Sequence, residues 1–239
     1  MNMFRRKRIL ENTSMQNGVR LITVSDPNSI NSEQFNTIRT NIEFSVIDRE
    51  LSSIAVTSSI ASEGKSTVAA NLAVSFARQG KRVLLVDADL RRPTLSATFS
   101  LNNPIGVTNC LTDITISINK ALYKTSVENL YIMPSGPKPP NPSELIGSKK
   151  MDSLLKKLND MFDLVIYDAP PVLSVTDSQI LSTKVDGTVI VARAGKIEKK
   201  NIERTIELIR HVDGKILGVI LNDVENGRDG AYGYYGEKK

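Results

Sequence analysis

Gly64-Lys65-Ser66-Thr67 is a set of residues suited to holding a polyphosphate. Backbone N–H groups of a tight loop at a helix N-terminus donate to phosphate oxygens, a lysine reaches the β and γ oxygens, and a serine hydroxyl ligates Mg2+. The residues ahead of it, Ser59-Ile60-Ala61-Ser62-Glu63, complete a loop of P-loop length, with Ser59 where the strict pattern has glycine. By itself this is weak, because Gly-Lys-Ser/Thr turns up by chance in roughly one chain in ten of this length. Two further segments strengthen it. Val83 to Val86 runs into Asp87-Ala88-Asp89-Leu90-Arg91, and Leu164 to Tyr167 runs into Asp168-Ala169-Pro170-Pro171. Any one of these aspartates could be a helix cap or loop acceptor. Three at the ends of apolar strands, beside a lysine and a serine, point to a nucleotide and Mg2+ site formed by Ser66, Asp87, Asp89 and Asp168.

These side chains meet only if the strands lie side by side and end at the same edge. Apolar runs without polar alternation at Val83 to Val86, Leu164 to Tyr167, Thr188 to Ala192 and Ile216 to Leu221 read as strands covered on both faces, and Ile54 to Ser58, a short apolar run ending in small polar residues, reads as the strand before the loop. Phe35, Ile38, Ile42 and Val46 recur at helical spacing, which predicts a helix over Asn31 to Ile47 with Asn31 and Ser32 as caps. Val68, Leu72 and Phe76 predict a second helix after the P-loop, closed by Gly80, and Ile202 to Ile209 a third. Alternating strands and helices imply an α/β fold, a doubly wound, mostly parallel sheet with helices on both faces, whose ligands bind at the strand C-terminal ends. Pro134, Pro137, Pro139, Pro140 and Pro142 predict a stiff surface loop from Met133, with Ser143 and Glu144 starting another helix.

The chain has 239 residues, 40% hydrophobic and 24% charged, which suits one large domain with an unaided core. Its single cysteine, Cys110, forms no internal disulfide, and no apolar run is long enough to span a bilayer, so the chain reads as cytosolic. Of the formal net charge of +5, Arg5-Arg6-Lys7-Arg8 supply four, leaving the rest at about +1. That basic cluster reads as a solvated tail or a contact for anionic lipid. With 5% aromatic residues and no basic face, direct nucleic-acid binding is not expected. From Glu225 onward apolar periodicity stops and glycines punctuate Tyr232, Tyr234 and Tyr235, which predicts a flexible tail. The expected organisation is a basic, extended segment at 1–30, a nucleotide-binding domain at 31–224 and the tyrosine-rich tail at 225–239.

Together these motifs resemble the bacterial tyrosine kinases of capsular and exopolysaccharide synthesis, in their cytoplasmic CpsD-type form. The P-loop is similar to that family's Walker A, Val83 to Arg91 to its Walker A′, and Leu164 to Pro171 to its Walker B. The likeness extends to Val24 to Asn41, to Met133 to Leu145 and to the tyrosine-rich end. It implies an ATP- and Mg2+-dependent protein-tyrosine kinase that phosphorylates its own tail at Tyr232, Tyr234 and Tyr235. It further implies recruitment to the inner membrane face by a transmembrane activator of the polysaccharide co-polymerase type, opposition by a cognate tyrosine phosphatase, and self-assembly into a homo-oligomer, of which a ring is one form. The family's oligomer motif, Glu-x-x-Arg-x-x-Arg, stands here as Glu33, Asn36 and Arg39, without its middle arginine. Ala61-Ser62-Glu63 replaces the usual Pro-Gly-Glu.

The resemblance and the chemistry together put Lys65, Asp87, Asp89, Arg91 and Asp168 in the catalytic set. Lys65 holds the γ-phosphoryl and Asp87 takes the tyrosine proton. Asp89 and Asp168 orient Mg2+-bound water, and Arg91 either stabilises γ-phosphate charge or holds its loop. Nucleotide contacts are expected from Ser59, Ser62, Glu63, Gly64, Lys65, Ser66 and Thr67, with Asn222 at the position that meets adenine in related ATPases. A tail of about 14 flexible residues reaches roughly 20 Å, enough for transfer between adjacent subunits. The other reading is a dimerising ATPase switch of the partition or Min-D-like group, which shares the three Walker elements. Ile60 stands where that group carries a second P-loop lysine, and the chain ends in Gly and Tyr where Min-D-like proteins have a membrane helix.

Overall fold

The computed structural model describes residues 14–46 and 50–224. Its centre is a seven-stranded sheet in the order β3-β4-β2-β5-β1-β6-β7. The strands are β1 (Ser53–Ser58), β2 (Val83–Asp87), β3 (Tyr123–Lys124), β4 (Leu130–Met133), β5 (Leu164–Asp168), β6 (Gly187–Arg193) and β7 (Ile216–Asn222). All neighbouring pairs are parallel except the edge pair β3 and β4. The helices are α1 (Ser14–Asn17), α2 (Ile22–Ser25), α3 (Ile30–Phe44), α4 (Lys65–Arg78), α5 (Leu95–Thr98), α6 (Val107–Thr112), α7 (Pro142–Gly147), α8 (Lys149–Met161), α9 (Asp177–Ser182) and α10 (Lys199–His211).

The unbroken apolar runs of the inner strands have a direct structural reason, but the run Ile216 to Leu221 does not fit it: β7 is an edge strand whose residues are half-buried or exposed, with Val219 and Leu221 facing solvent. Along β2, Val83 and Leu85 enter one core with Leu72, Phe76 and Ile42, while Leu84 and Val86 enter a second core with Met151, Leu155 and Leu158. Successive side chains alternate between faces, so a strand covered on both sides needs apolar residues at every position. The first core is roofed by α3 and α4, the second by α6, α7 and α8. Among the described residues, no helix is long and apolar enough to cross a membrane.

Several elements differ from the expectation. The first long helix starts at Ile30, capped by the Ser29 hydroxyl, which accepts from the Ser32 N–H at 3.2 Å; Ser32 is buried and donates to the Asp26 carbonyl instead. Its expected end at Ile47 lies outside the described residues, as do the basic cluster and the tail tyrosines. Residues 14–30 are not an extended segment. The Thr23 N–H and hydroxyl both donate to the Asn71 side chain on α4, and Val19 and Leu21 pack on the first core. The proline segment is not a free surface loop either. Met133 ends β4, and Pro134 and Ser135 are buried. Proline lacks an N–H but keeps its carbonyl, and the Pro134 and Ser135 carbonyls accept from the Val107 and Thr108 amides at the start of α6. The helix after that segment begins at Pro142, where a missing N–H costs nothing.

β4 and α8 were not anticipated. The four-residue β4 sits between Asn129, in left-handed conformation, and Pro134, and so reads as loop. α8 carries Met151, Leu154, Leu155 and Leu158 on its buried face, a helical signal present in the chain.

Leu72 is fully buried at the centre of α4. Leu72→Ala should lower unfolding free energy by about 2–5 kcal/mol in urea titration. A loss below about 1 kcal/mol would show that α4 is not integral to the core.

Candidate functional site

The strands that carry the chemistry are the three central neighbours β2, β5 and β1. Register places Asp87 opposite Asp168, and Asp168 opposite Val56 two residues before β1 ends. The P-loop leaves β1 at Ser58 and enters α4 at Lys65. Gly64 caps that helix with φ 93°, and Asn222 lies so close above it that an added Cβ would sit 2.1 Å from the Asn222 amide nitrogen. Ser62 also adopts positive φ, 67°, where the family's usual glycine would be unstrained.

The structure brings Lys65, Asp87, Asp89, Asp168 and Ser66 together. Lys65 Nζ lies 2.9 Å from Asp89 Oδ2, 3.2 Å from Asp168 Oδ1 and 3.3 Å from Ser66 Oγ. Asp87 Oδ2 accepts from the Thr94 and Leu95 amides at 2.9 and 3.0 Å, whereas its buried Oδ1 has no protein partner. Asp89 Oδ1 accepts from the Arg92 amide at 3.0 Å.

Burial and the negative charge of Asp168 push the Asp87 carboxyl up to about 8. Burial raises Asp168 as well, against the pull of Lys65 and the Ser66 hydroxyl. For Lys65, burial favours the neutral amine, but Asp168 and Asp89 outweigh it and hold the ammonium above its usual range. One cation serving three buried acids explains why one acid keeps its proton.

Other expected contacts are arranged differently. The Glu63 side chain turns inward: Oε2 accepts from the Ile60 amide at 2.8 Å and Oε1 from the Arg193 amide at 3.3 Å. Its carboxylate therefore holds the loop onto the end of β6 and offers nothing to a phosphate. The Ser59 hydroxyl is buried 2.8 Å from that of Thr205 on α10, leaving only its backbone for a ligand. Asn222 Nδ2 donates to the Glu63 carbonyl at 3.0 Å, so β7 reaches over the loop. Ser62 is exposed and Thr67 half-buried. Arg91 forms its ion pair with Asp177, at 3.0 Å, and none with Asp87, Asp89 or Asp168. Thr94, Ser143 and Asp177 were missed by sequence reasoning; Asp177 at the head of a helix gives only a capping signal.

Glu33, Asn36 and Arg39 form one chain of contacts on α3. Asn36 Nδ2 donates to Glu33 Oε2 at 3.0 Å, and Arg39 Nη1 donates to the Asn36 Oδ1, the Ser75 carbonyl and the Ser75 hydroxyl at 3.1–3.2 Å. Arg39 thus lies against α4, beside a cavity of about 230 Å3 that Ser75 and Arg78 also line.

Among the described residues, no group of three or more His, Cys, Asp or Glu side chains has the geometry of a preformed metal centre. The donor set is oxygen only, a hydroxyl and carboxylates, with one buried carboxylate oxygen unpartnered. This fits Mg2+, which takes one or two protein oxygens and completes its shell with waters and substrate phosphates. Ser66 and one or two of Asp87, Asp89 and Asp168 would hold it.

Residues 51–218 match the AAA domain family. The chain is 46% identical over 218 residues to the tyrosine-protein kinase YwqD of Bacillus subtilis (strain 168), covering 91% of this chain and 92% of that one. It is 38% identical over 209 residues to the tyrosine-protein kinase CpsD of Streptococcus agalactiae, covering 86% and 90%. Of solved structures, the chimerical protein CapA2B2 superposes with a TM-score of 0.82 at 40% identity, over 85% of this chain and 89% of that one.

The raised Asp87 carboxyl has a consequence for stability. In the unfolded chain it loses its proton near the ordinary 3.8, in the native protein only near 8. Between those values the unfolded state binds fewer protons, so this group makes stability fall as pH rises. Asp87→Asn should raise the thermal midpoint of the nucleotide-free protein in EDTA, by more at pH 8 than at pH 5. Calorimetry showing the larger gain at pH 5 would reverse the assignment.

Proposed function

The chain belongs to the bacterial tyrosine-protein kinases, and on that premise we propose that it transfers the γ-phosphoryl of ATP to tyrosines of its own tail, and thereby regulates capsular or exopolysaccharide synthesis and export. The observation that carries this reading is the meeting of Lys65 with Asp87, Asp89, Asp168 and Ser66 at the C-terminal edge of three adjacent strands.

Phosphoryl transfer passes through a loose transition state, so the protein's work is positioning and charge neutralisation. When nucleotide enters, Lys65 exchanges its carboxylate partners for β and γ oxygens, while the P-loop amides and the N-terminus of α4 take the remaining phosphate charge. Bound Mg2+ supplies positive charge to the phosphate oxygens. Asp87 is our choice of base: two backbone amides hold Oδ2, Oδ1 has no protein partner, and Ser66, Asp89 and Asp168 remain to hold Mg2+. A tyrosine hydroxyl with pKa about 10 gives up its proton late in the transfer, and a carboxyl raised toward neutrality is well matched to receive it once ionised. Asn222 above Gly64 is available at the mouth of the site for the base of the nucleotide.

The tyrosines of the described residues are occupied structurally. Tyr167 is fully buried, Tyr123 accepts from the Ile105 amide at 2.9 Å, and Tyr131 stacks edge-on against Phe162. This supports Tyr232, Tyr234 and Tyr235 as acceptors on a substrate tail at 225–239, following a kinase domain that holds 31–224 and, through Val19, Leu21 and Thr23, the segment before it. Transfer between subunits is part of the proposal. Assembly through Glu33 and Arg39 would require Arg39 to exchange Ser75 for a neighbouring chain. Recruitment to the inner membrane face by a transmembrane activator, and reversal by a tyrosine phosphatase, complete the reading.

Incubation with radiolabelled ATP and Mg2+ should place label on tyrosine in the wild-type chain. Lys65→Met should abolish it, and replacing Tyr232, Tyr234 and Tyr235 together by Phe should remove most of it. Release of free phosphate without labelled tyrosine would refute autophosphorylation.

A further inference from the structure

Arg91 stands two residues beyond Asp89, and Pro170 two residues beyond Asp168. Both are held by the first turn of α9. Arg91 Nε and Nη2 fork onto the two carboxylate oxygens of Asp177 at 3.0 and 3.1 Å, and Nη2 also donates to Ser143 Oγ at 2.9 Å. The Ser143 hydroxyl donates to Asp177 Oδ1 at 2.5 Å, tying in the first turn of α7. Asp177 is almost wholly buried. The next residue, Ser178, donates its hydroxyl to the Pro170 carbonyl, which also accepts from Thr57 Oγ1 at 2.6 Å.

We propose that Asp177 and Ser178 form a positioning clamp that sets the spacing between the Asp89 and Asp168 loops, so that Lys65 can serve both. The inference rests on the kinase reading of the site above. A planar, two-point arginine–carboxylate pair fixes orientation as well as distance. A forked pair at Arg91 therefore fixes the turn that aims Asp89, while the doubly held Pro170 carbonyl fixes the turn after Asp168. Arg91 acts here as a positioning residue, its guanidinium taken up by Asp177 and Ser143. A serine at 143 adds a third hold, from the segment that follows the prolines. Misplacement of catalytic groups by an ångström can cost a hundredfold in rate, so a clamp of this kind is read in turnover more than in nucleotide affinity.

The test is steady-state tyrosine phosphorylation by the full chain carrying Asp177→Asn, Arg91→Gln, both together, or Ser143→Ala. Asp177→Asn and Arg91→Gln should each lower kcat about tenfold with the KM for ATP within about twofold, and the double variant should lose no more than the worse single one. Arg91→Lys, which keeps the charge without the fork, should recover only part of the loss. Unchanged kcat in folded Asp177→Asn would overturn the clamp. So would multiplying losses, or a far greater loss in Arg91→Gln than in Asp177→Asn, which would put Arg91 on the substrate. If Asp177→Asn does not fold, the half-buried Ser143→Ala decides: a lower kcat at constant KM supports the clamp, an unchanged kcat overturns it. A wild-type chain that fails to label tyrosine defeats the kinase reading itself; an active wild type with unaffected variants defeats only the clamp.

Discussion

One ammonium group among three buried carboxylates governs the site. Lys65 touches Asp89 and Asp168 directly and faces Asp87 at longer range. Unpaired charges at such depth are costly, and removing one partner of a buried pair costs more than the pair itself contributes. The protein groups of the site therefore include more acid than their one cation can balance, and Asp87 holds its proton toward pH 8 in response. Added positive charge from a metal and added negative charge from a polyphosphate can both be accommodated, because Lys65 and Asp87 can each change partner or protonation state.

That arrangement depends on the sheet. Asp87 and Asp168 are paired in register on adjacent parallel strands, and the P-loop leaves the strand on the other side of β5. Parallel strands end together, so a residue at the last position of each reaches the same edge. The apolar side chains behind those ends fill two cores, one under α4 and one under α8. Close packing on both faces leaves the strand ends little freedom, and so fixes the carboxylates without any contact among themselves.

The loops need separate restraint, and polar side chains supply it. Glu63 fastens the P-loop to the end of β6, Asn222 covers it from β7, and Asp177 with Ser178 fastens the two aspartate loops from α9. Glu63, Asp177 and Ser178 have types that could act on a ligand, and each uses its hydrogen-bonding capacity on backbone or on another side chain, whereas Asn222 commits one amide donor to the Glu63 carbonyl. Chemistry-bearing residue types in a site thus divide into those that face the ligand and those that hold the others still.

Read residue by residue, the sequence already determined strands β1, β2, β5, β6 and β7, the P-loop and the three aspartates, since these depend on local features: apolar runs such as Val83 to Val86, the helical spacing of Val68, Leu72 and Phe76, and a carboxylate directly after a strand. It did not reveal β4, which is too short and too close to a proline to show a period, and the α8 pattern at Met151, Leu154, Leu155 and Leu158 was present but overlooked. The partners of Arg91, Glu63, Ser59 and Arg39 were decided only in three dimensions. Arg91 meets Asp177 across 86 positions and Ser59 meets Thr205 across 146, separations that carry no periodicity. Local pattern sets which elements form; which polar groups meet is set by how those elements pack.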